Sequence, residues 1–255
     1  MPSAVLLRQE PFPDRSLVAA LLAEQTGFPA PVAAKLASRG AHGIVWEYAP
    51  QSAAQGVAAG LTAVGFPALV ADQDQVPQPT QPRRVHLLQL DCDQLGVQLK
   101  YNGPPEWIAW HDVLVISAGA IRKENRKAEL VEVTLHHGAT IVEERVQVEI
   151  ARDLLLDVFA QVAHGAERLH LRLHSHEVNY ALTLGGTIHE SWREKFALLV
   201  AKLGLRAERA LVSPQTEALL AAGMSPENCA LSPYFASEED LAAYNRWLLA
   251  RRLLA

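Results

Sequence analysis

Leu95 to Ile121 reads LGVQLKYNGPPEWIAWHDVLVISAGAI, and no other stretch constrains the fold as tightly. Val97, Leu99 and Tyr101 alternate with Gln98 and Lys100, the period of a strand with one wet face. Trp107 to Ser117 is apolar on both parities, which demands cover on both faces or a bulge near His111-Asp112. Joined by a Gly-Pro-Pro turn, the two halves read as long antiparallel strands at the head of a β-rich domain.

The same alternation continues downstream. Val85 to Cys92 forms a weak strand, Val131 to Leu135 and Val146 to Ile150 form half-buried ones, and Leu169, Leu171 and Leu173 face one way. Val178, Tyr180, Leu182 and Leu184 fall on the opposite parity, so a turn or bulge is expected at Ser175-His176. Asn102-Gly103 and His136-His137 mark hairpin turns. Thr187 with Glu190 makes a capping box before Trp192, Phe196, Leu199 and Leu203, which recur at helical spacing. Residues 85–205 therefore predict seven strands and one amphipathic helix.

Residues 1–74 follow another rhythm. Ala4 to Arg8 reads as a strand, and Leu17, Val18, Leu21 and Leu22 as a helix stopped by Gly27 and Pro29. A short helix (31–38), a strand (43–48), an Ala-rich helix from Pro50 to Gly65 and a strand (66–71) complete the order βααβαβ. Residues 75–84, preceded by Asp72-Gln73-Asp74, are rich in Pro and Gln and predict an extended linker. In the tail, 206–255, Ser213-Pro214 starts a helix that Gly223 stops, and Ser237 with Asp240 caps another. Leu241, Tyr244, Trp247 and Leu248 form its apolar stripe, with Arg251 and Arg252 near its end, where their charge suits the helix dipole. That stripe either docks on the body or offers Tyr244 and Trp247 to a partner.

Thr26-Gly27, Ala33, Leu36, Ala54, Leu61 and Gly65 give residues 1–74 a pattern that resembles the C-terminal domain of the bacterial ribosomal stalk protein and the related protease adaptor that captures N-degrons. The resemblance implies a fold and a history of protein recognition. The positions where stalk proteins carry basic contacts hold Ala20 and Ala23, so the GTPase partner does not carry over. The seven strands plus helix, with Trp110-x-Asp112-Val113 before the third strand, resemble the pleckstrin-homology superfold, which implies a barrel plugged by a helix. Its lipid-binding members need basic residues between the first two strands, where this chain has Cys92-Asp93-Gln94. The resulting expectation is an α+β chain: a βααβαβ module, a seven-stranded antiparallel barrel-like domain with a capping helix, and a helical tail.

Charge and chemistry narrow the function. Against 23 basic residues stand 28 acidic ones, a net charge of −5, which argues against a nucleic-acid surface over the whole molecule. Two separated cysteines and no recognisable leader or membrane span suggest a cytoplasmic chain. GxSxG, P-loop, HExxH and GxGxxG are all absent, so no catalytic or cofactor-binding residue is named. The one dense reactive cluster is His170, His174 and His176 with Glu177. His170 and His174, about 13 Å apart on a strand, cannot share an ion directly, which leaves His174 and His176 as the candidate metal ligands, with further ligands needed from elsewhere. The polar face of this strand is expected to meet solvent. His-x-His is similar to the metallo-β-lactamase motif, but its following Asp-His is missing. Arg122, Lys123, Arg126 and Lys127 form a basic cluster, expected in a loop, that could attract an anion. The reading is a non-enzymatic protein-interaction or adaptor protein with an unidentified protein partner. The competing readings are a metal-dependent hydrolase using the His170–His176 cluster and an anion-binding module.

Overall fold

The computed structural model describes residues 1–39, 42–101, 103–134, 140–161, 168–185, 191–230 and 234–255, with backbone alone at residue 39 and along 123–134 and 140–152. Its first part takes the predicted order: β1 (Pro2–Leu7), α1 (Arg15–Thr26), α2 (Ala30–Arg39), β2 (Ile44–Pro50), α3 (Gln51–Ala63) and β3 (Ala68–Asp72). β1 lies between β2 and β3, antiparallel to both. One face of this sheet, with Val5, Leu7 and Val45, buries the helical stripe Val18, Leu21, Leu22, Val57 and Leu61. α1 ends where Gly27 adopts φ 69° and its N–H bonds the Ala23 carbonyl, a left-handed cap that a Cβ would strain.

The Pro-rich segment is extended but packed. Gln73 is buried and bridges Tyr48 and Glu47, and Val76 is buried beside it. Arg83–Arg84 form the short strand β4, which runs parallel to the later β10 (Arg168–His174).

The middle of the chain departs from the expected barrel. β5 (Leu87–Leu90), β6 (Gln94–Gln98) and β7 (Glu106–Ala109) make a separate antiparallel sheet. A 3-10 turn at Trp110–Asp112 breaks the expected 107–117 strand and carries the chain into a second sheet. There β8 (Val113–Thr134) and β9 (Thr140–Gln161) form one long antiparallel pair, so the strand expected at 131–135, as far as Thr134, and the one at 146–150 are its outer portions. The paired histidines 136–137 and Asn102 lie outside the described residues. Sheet order is β11-β8-β9-β10-β4, where β11 (Leu211–Val212) and β12 (Tyr234–Phe235) both run parallel to β8. Among the described residues no sheet closes into a barrel, because short parallel pieces from the linker and the tail take the edge positions that closure would need.

Residues 180–184 are a helix, α4 (Tyr180–Leu184), in place of the expected strand. Asn179 caps it by accepting the Leu182 N–H, and a strand period of two cannot be told from a helical i, i+4 pair such as Tyr180 and Leu184 over so few residues. The Thr187 and Glu190 box lies outside the described residues. α5 (Trp192–Arg206) is capped instead by Ser191 with Glu194, a reciprocal pair. α6 (Pro214–Ala221) and α7 (Glu238–Leu254) start at the Ser213 and Ser237 caps that the sequence marks.

The second sheet is covered on both faces. Leu154, Leu156 and Val158 point to one core with Leu169, Leu171, Leu173 and the α5 residues Phe196, Leu199 and Leu203. Leu155 and Phe159 point to the other, where Leu241, Tyr244, Trp247 and Leu248 of α7 meet Ala4, Leu6 and Ile44 of the first part. The doubly apolar strand of the opening stretch is explained by this cover. Beyond Ile121 and Asp153, β8 and β9 pair only with each other among the described residues, up to Thr134 opposite Thr140. They form a ribbon roughly 40 Å long at about 3.3 Å per residue. No described helix is long and apolar enough to cross a membrane.

Candidate functional site

α7 lies across the face of β9 and β10 that carries Asp157, His170 and Arg172, and this placement turns a polar strand face into a buried charged centre. All three side chains are almost inaccessible to solvent, which overturns the expectation that the His170 face is wet. The reason is non-local: the helix that covers them begins more than sixty residues later. Arg172 grips Asp157 with two parallel hydrogen bonds, Nε to Oδ1 at 2.7 Å and NH2 to Oδ2 at 2.6 Å, and reaches Glu238 with its third nitrogen at 3.0 Å. Asn245 of α7 donates to the same Asp157 oxygen at 2.7 Å. Burial opposes ionisation of Asp157, but the hydrogen bonds and charge of Arg172, with the His170 ring close by, outweigh it and hold the carboxyl below the usual carboxylate range. Burial likewise works against the Arg172 cation, and Asp157 with Glu238 more than restores it.

His170 stacks on Phe159, centroids 4.1 Å apart and planes 20° from parallel. Its Nδ1 lies 3.2 Å from the Thr80 carbonyl oxygen. Its Nε2 is 3.1 Å from Asp157 Oδ2, close enough for attraction but off hydrogen-bond alignment. Each ring nitrogen thus faces a protein oxygen, and the stacked rings of His170 and Phe159 both line the neighbouring space.

That space is a cavity of about 310 Å³ at the junction of four parts of the chain. Ile44 and Glu47 come from β2, Pro79 and Thr80 from the Pro-rich segment, Phe159 and His170 from the sheet, and Ala242, Ala243, Arg246 and Leu249 from α7. Its walls are mostly apolar. Glu47 and Arg246 form a two-pronged pair at 2.6 and 2.8 Å, and Arg246 Nε also donates to the Pro77 carbonyl at 2.6 Å. The hydrogen bond from Arg246 holds the Glu47 carboxyl below its ordinary range against the opposing effect of burial. At the rim, exposed Glu239 is kept ionised by the Ser237 hydroxyl. Two carboxylates against one guanidinium disfavour an anionic occupant.

Tyr244 and Trp247, candidates for a partner surface, are wholly buried in the core between α7 and the first part of the chain. The Tyr244 hydroxyl donates to Glu10 Oε1 at 2.7 Å, Gln215 donates to Glu10 Oε2 at 2.8 Å, and Arg251 lies over the Trp247 ring. In this fold the stripe serves the chain's own core. Of the basic cluster, Arg122 is exposed at the root of the ribbon. Lys123, Arg126 and Lys127 follow on the same strand, not in a loop, with side chains outside the described residues.

The structure does bring the candidate metal ligands together. Donor atoms of His174, His176 and Glu177 all lie within 4.8 Å of one another at the turn after β10. Sequence reasoning found this surface cluster from spacing, but it missed the cavity, whose lining comes from segments up to two hundred residues apart with no shared local pattern. Comparison with protein-family models, with curated proteins and with solved structures finds no match for this chain.

Proposed function

We propose that this chain is a non-catalytic recognition protein that seats an apolar group of its partner, neutral or cationic, in the junction cavity. The observation that carries this reading is how the polar groups around the cavity are used. Glu47 is spent on Arg246 and Gln73, and His170 is held between Thr80 and Asp157. A general base needs a free nitrogen or oxygen within reach of a substrate proton. These groups are turned to one another, which leaves an apolar receptacle about twice the size of a cavity that holds benzene.

Tyr48 supports a protein as the source of that group. It is exposed, follows Glu47 directly and holds φ 56°, a conformation costly for a bulky residue, with its N–H fixed by Gln73 at 2.9 Å. Strain that displays an aromatic ring beside a cavity suits a contact surface better than an enclosed small-molecule site.

Thermal-shift titration of the purified full chain with phenethylamine, benzyl alcohol and phenylacetate tests the reading. The amine and the alcohol should raise the melting temperature, the carboxylate should not, and Ala243→Phe, which fills the cavity, should abolish the response. No shift with any probe, or an equal shift in Ala243→Phe, would overturn it.

A further inference from the structure

The turn that follows β10 is built as rigidly as a ligand site requires. Ser175 N–H bonds the Leu154 carbonyl at 3.0 Å, Glu177 N–H bonds the His174 carbonyl at 2.9 Å, and the Tyr180 hydroxyl closes on the Ser175 carbonyl. The backbone therefore fixes where three side chains leave the turn. The rings of His174 and His176 meet edge to face with centroids 5.8 Å apart, and His176 Nε2 faces Glu177 Oε1 at 3.6 Å. On the other side of the ring, His176 Nδ1 faces Asp153 Oδ1 at 4.0 Å. At that distance Asp153 attracts the ring without a hydrogen bond, and the opposite nitrogen, Nε2, is the one turned toward Glu177.

We propose that His174, His176 and Glu177 bind one divalent transition-metal ion of the zinc type, in competition with Arg84. Two imidazoles and one carboxylate are a borderline donor set that suits zinc better than magnesium or calcium, which prefer oxygen alone. Tetrahedral zinc at about 2.0–2.1 Å from each ligand places donors roughly 3.3 Å apart. The present separations of at most 4.8 Å exceed that by a distance within the reach of side-chain rotation.

Arg84 makes the site more than a surface pair of histidines. Its Nε donates to Glu177 Oε2 at 2.8 Å and its NH2 bonds the other oxygen, so the guanidinium holds the carboxylate that the metal would take. Arg84 sits on β4, paired beside Arg172 of β10. Metal binding would therefore exchange one cation for another at Glu177 and free the end of β4 from the turn.

Calorimetric titration of zinc into chelator-treated full chain reads this directly, with melting temperatures of the metal-free variants confirming that each is folded. The wild type should bind one equivalent. His176→Ala and Glu177→Gln should each weaken binding on the order of tenfold or more, and Arg84→Gln should tighten it. His111→Ala, which removes an exposed imidazole elsewhere, should change nothing. Absence of one-to-one binding, wild-type affinity in His176→Ala or Glu177→Gln, or no gain in Arg84→Gln would overturn the proposal.

Discussion

Trp247, midway along the last helix, donates its indole N–H to the carbonyl of Leu7, at the end of the first strand, over 2.7 Å. The tail is thereby bound to the first part of the chain through the interior, and Gly43 leaves room for it. A Cβ on Gly43 would stand 2.5 Å from Trp247 Nε1, and the residue holds φ 89° besides. Phe12 completes the contact with an edge-to-face ring 4.9 Å away.

Trp247→Ala should therefore cost about 3–5 kcal/mol, the range for removing a fully buried aromatic. Because the indole joins parts distant in sequence, the loss should appear in the unfolding of the whole chain. Urea titrations followed by far-UV circular dichroism and by the fluorescence of the remaining tryptophans should shift together. A loss confined to the helical signal would show that the tail unfolds alone. Gly43→Ala should also destabilise, since both the clash and the left-handed backbone oppose it.

Asp157 is the centre of the buried network, and its folded-state acidity fixes the sign of a pH effect. Its carboxyl lies below the ordinary range, so the charge contributes stability above the unfolded value near 3.9. That contribution should fade as pH falls from about 4 toward the folded value. Asp157→Asn should lose about 3–5 kcal/mol at neutral pH, because Arg172 is left buried with its main partner gone. The variant should also show a flatter decline in unfolding free energy below about pH 4. Denaturant titrations from neutral to acidic pH compare the two slopes, and equal slopes would show that Asp157 is not the linked group.

What the sequence discloses depends on how local the determining contact is. Gly27, Ser213-Pro214 and Ser237 with Asp240 act within a turn of where they stand, and each marks a helix end that the structure has. The helical stripe on α7 is equally plain, yet nothing in it says that it faces the chain's own sheet. Arg172 and His170 look like one wet strand face because Asn245 and Glu238, which cover them, belong to another segment. The 3-10 turn at Trp110 was half legible: an apolar run on both parities signals a break or double cover, and both are present. Barrel closure was not legible, since it depends on which strands reach the edges, and residues as unpromising as Arg83–Arg84 and Leu211–Val212 take them. The histidine turn was visible because its ligands are neighbours in sequence, whereas the cavity has no sequence signature at all.

The pair of Glu47 and Arg246 closes one wall of the cavity, and its value to the fold can be measured apart from recognition. Their side chains are 29% and 15% exposed, so solvent weakens the attraction only in part. Arg246→Leu should cost about 1.5–3 kcal/mol, the range for hydrogen bonds to charged groups, because Glu47 keeps its burial and loses both guanidinium donors. Glu47→Gln should cost less, since the amide oxygen still accepts from Arg246 and the Pro77 carbonyl still holds the guanidinium. In the double variant no half-buried charge is left facing a missing partner, so the combined loss should fall short of the sum of the two. Denaturation of the four proteins gives the coupling energy, expected at about 0.5–3 kcal/mol. Additive losses would mean that the two side chains act independently, and that the wall of the cavity is held by the backbone around it.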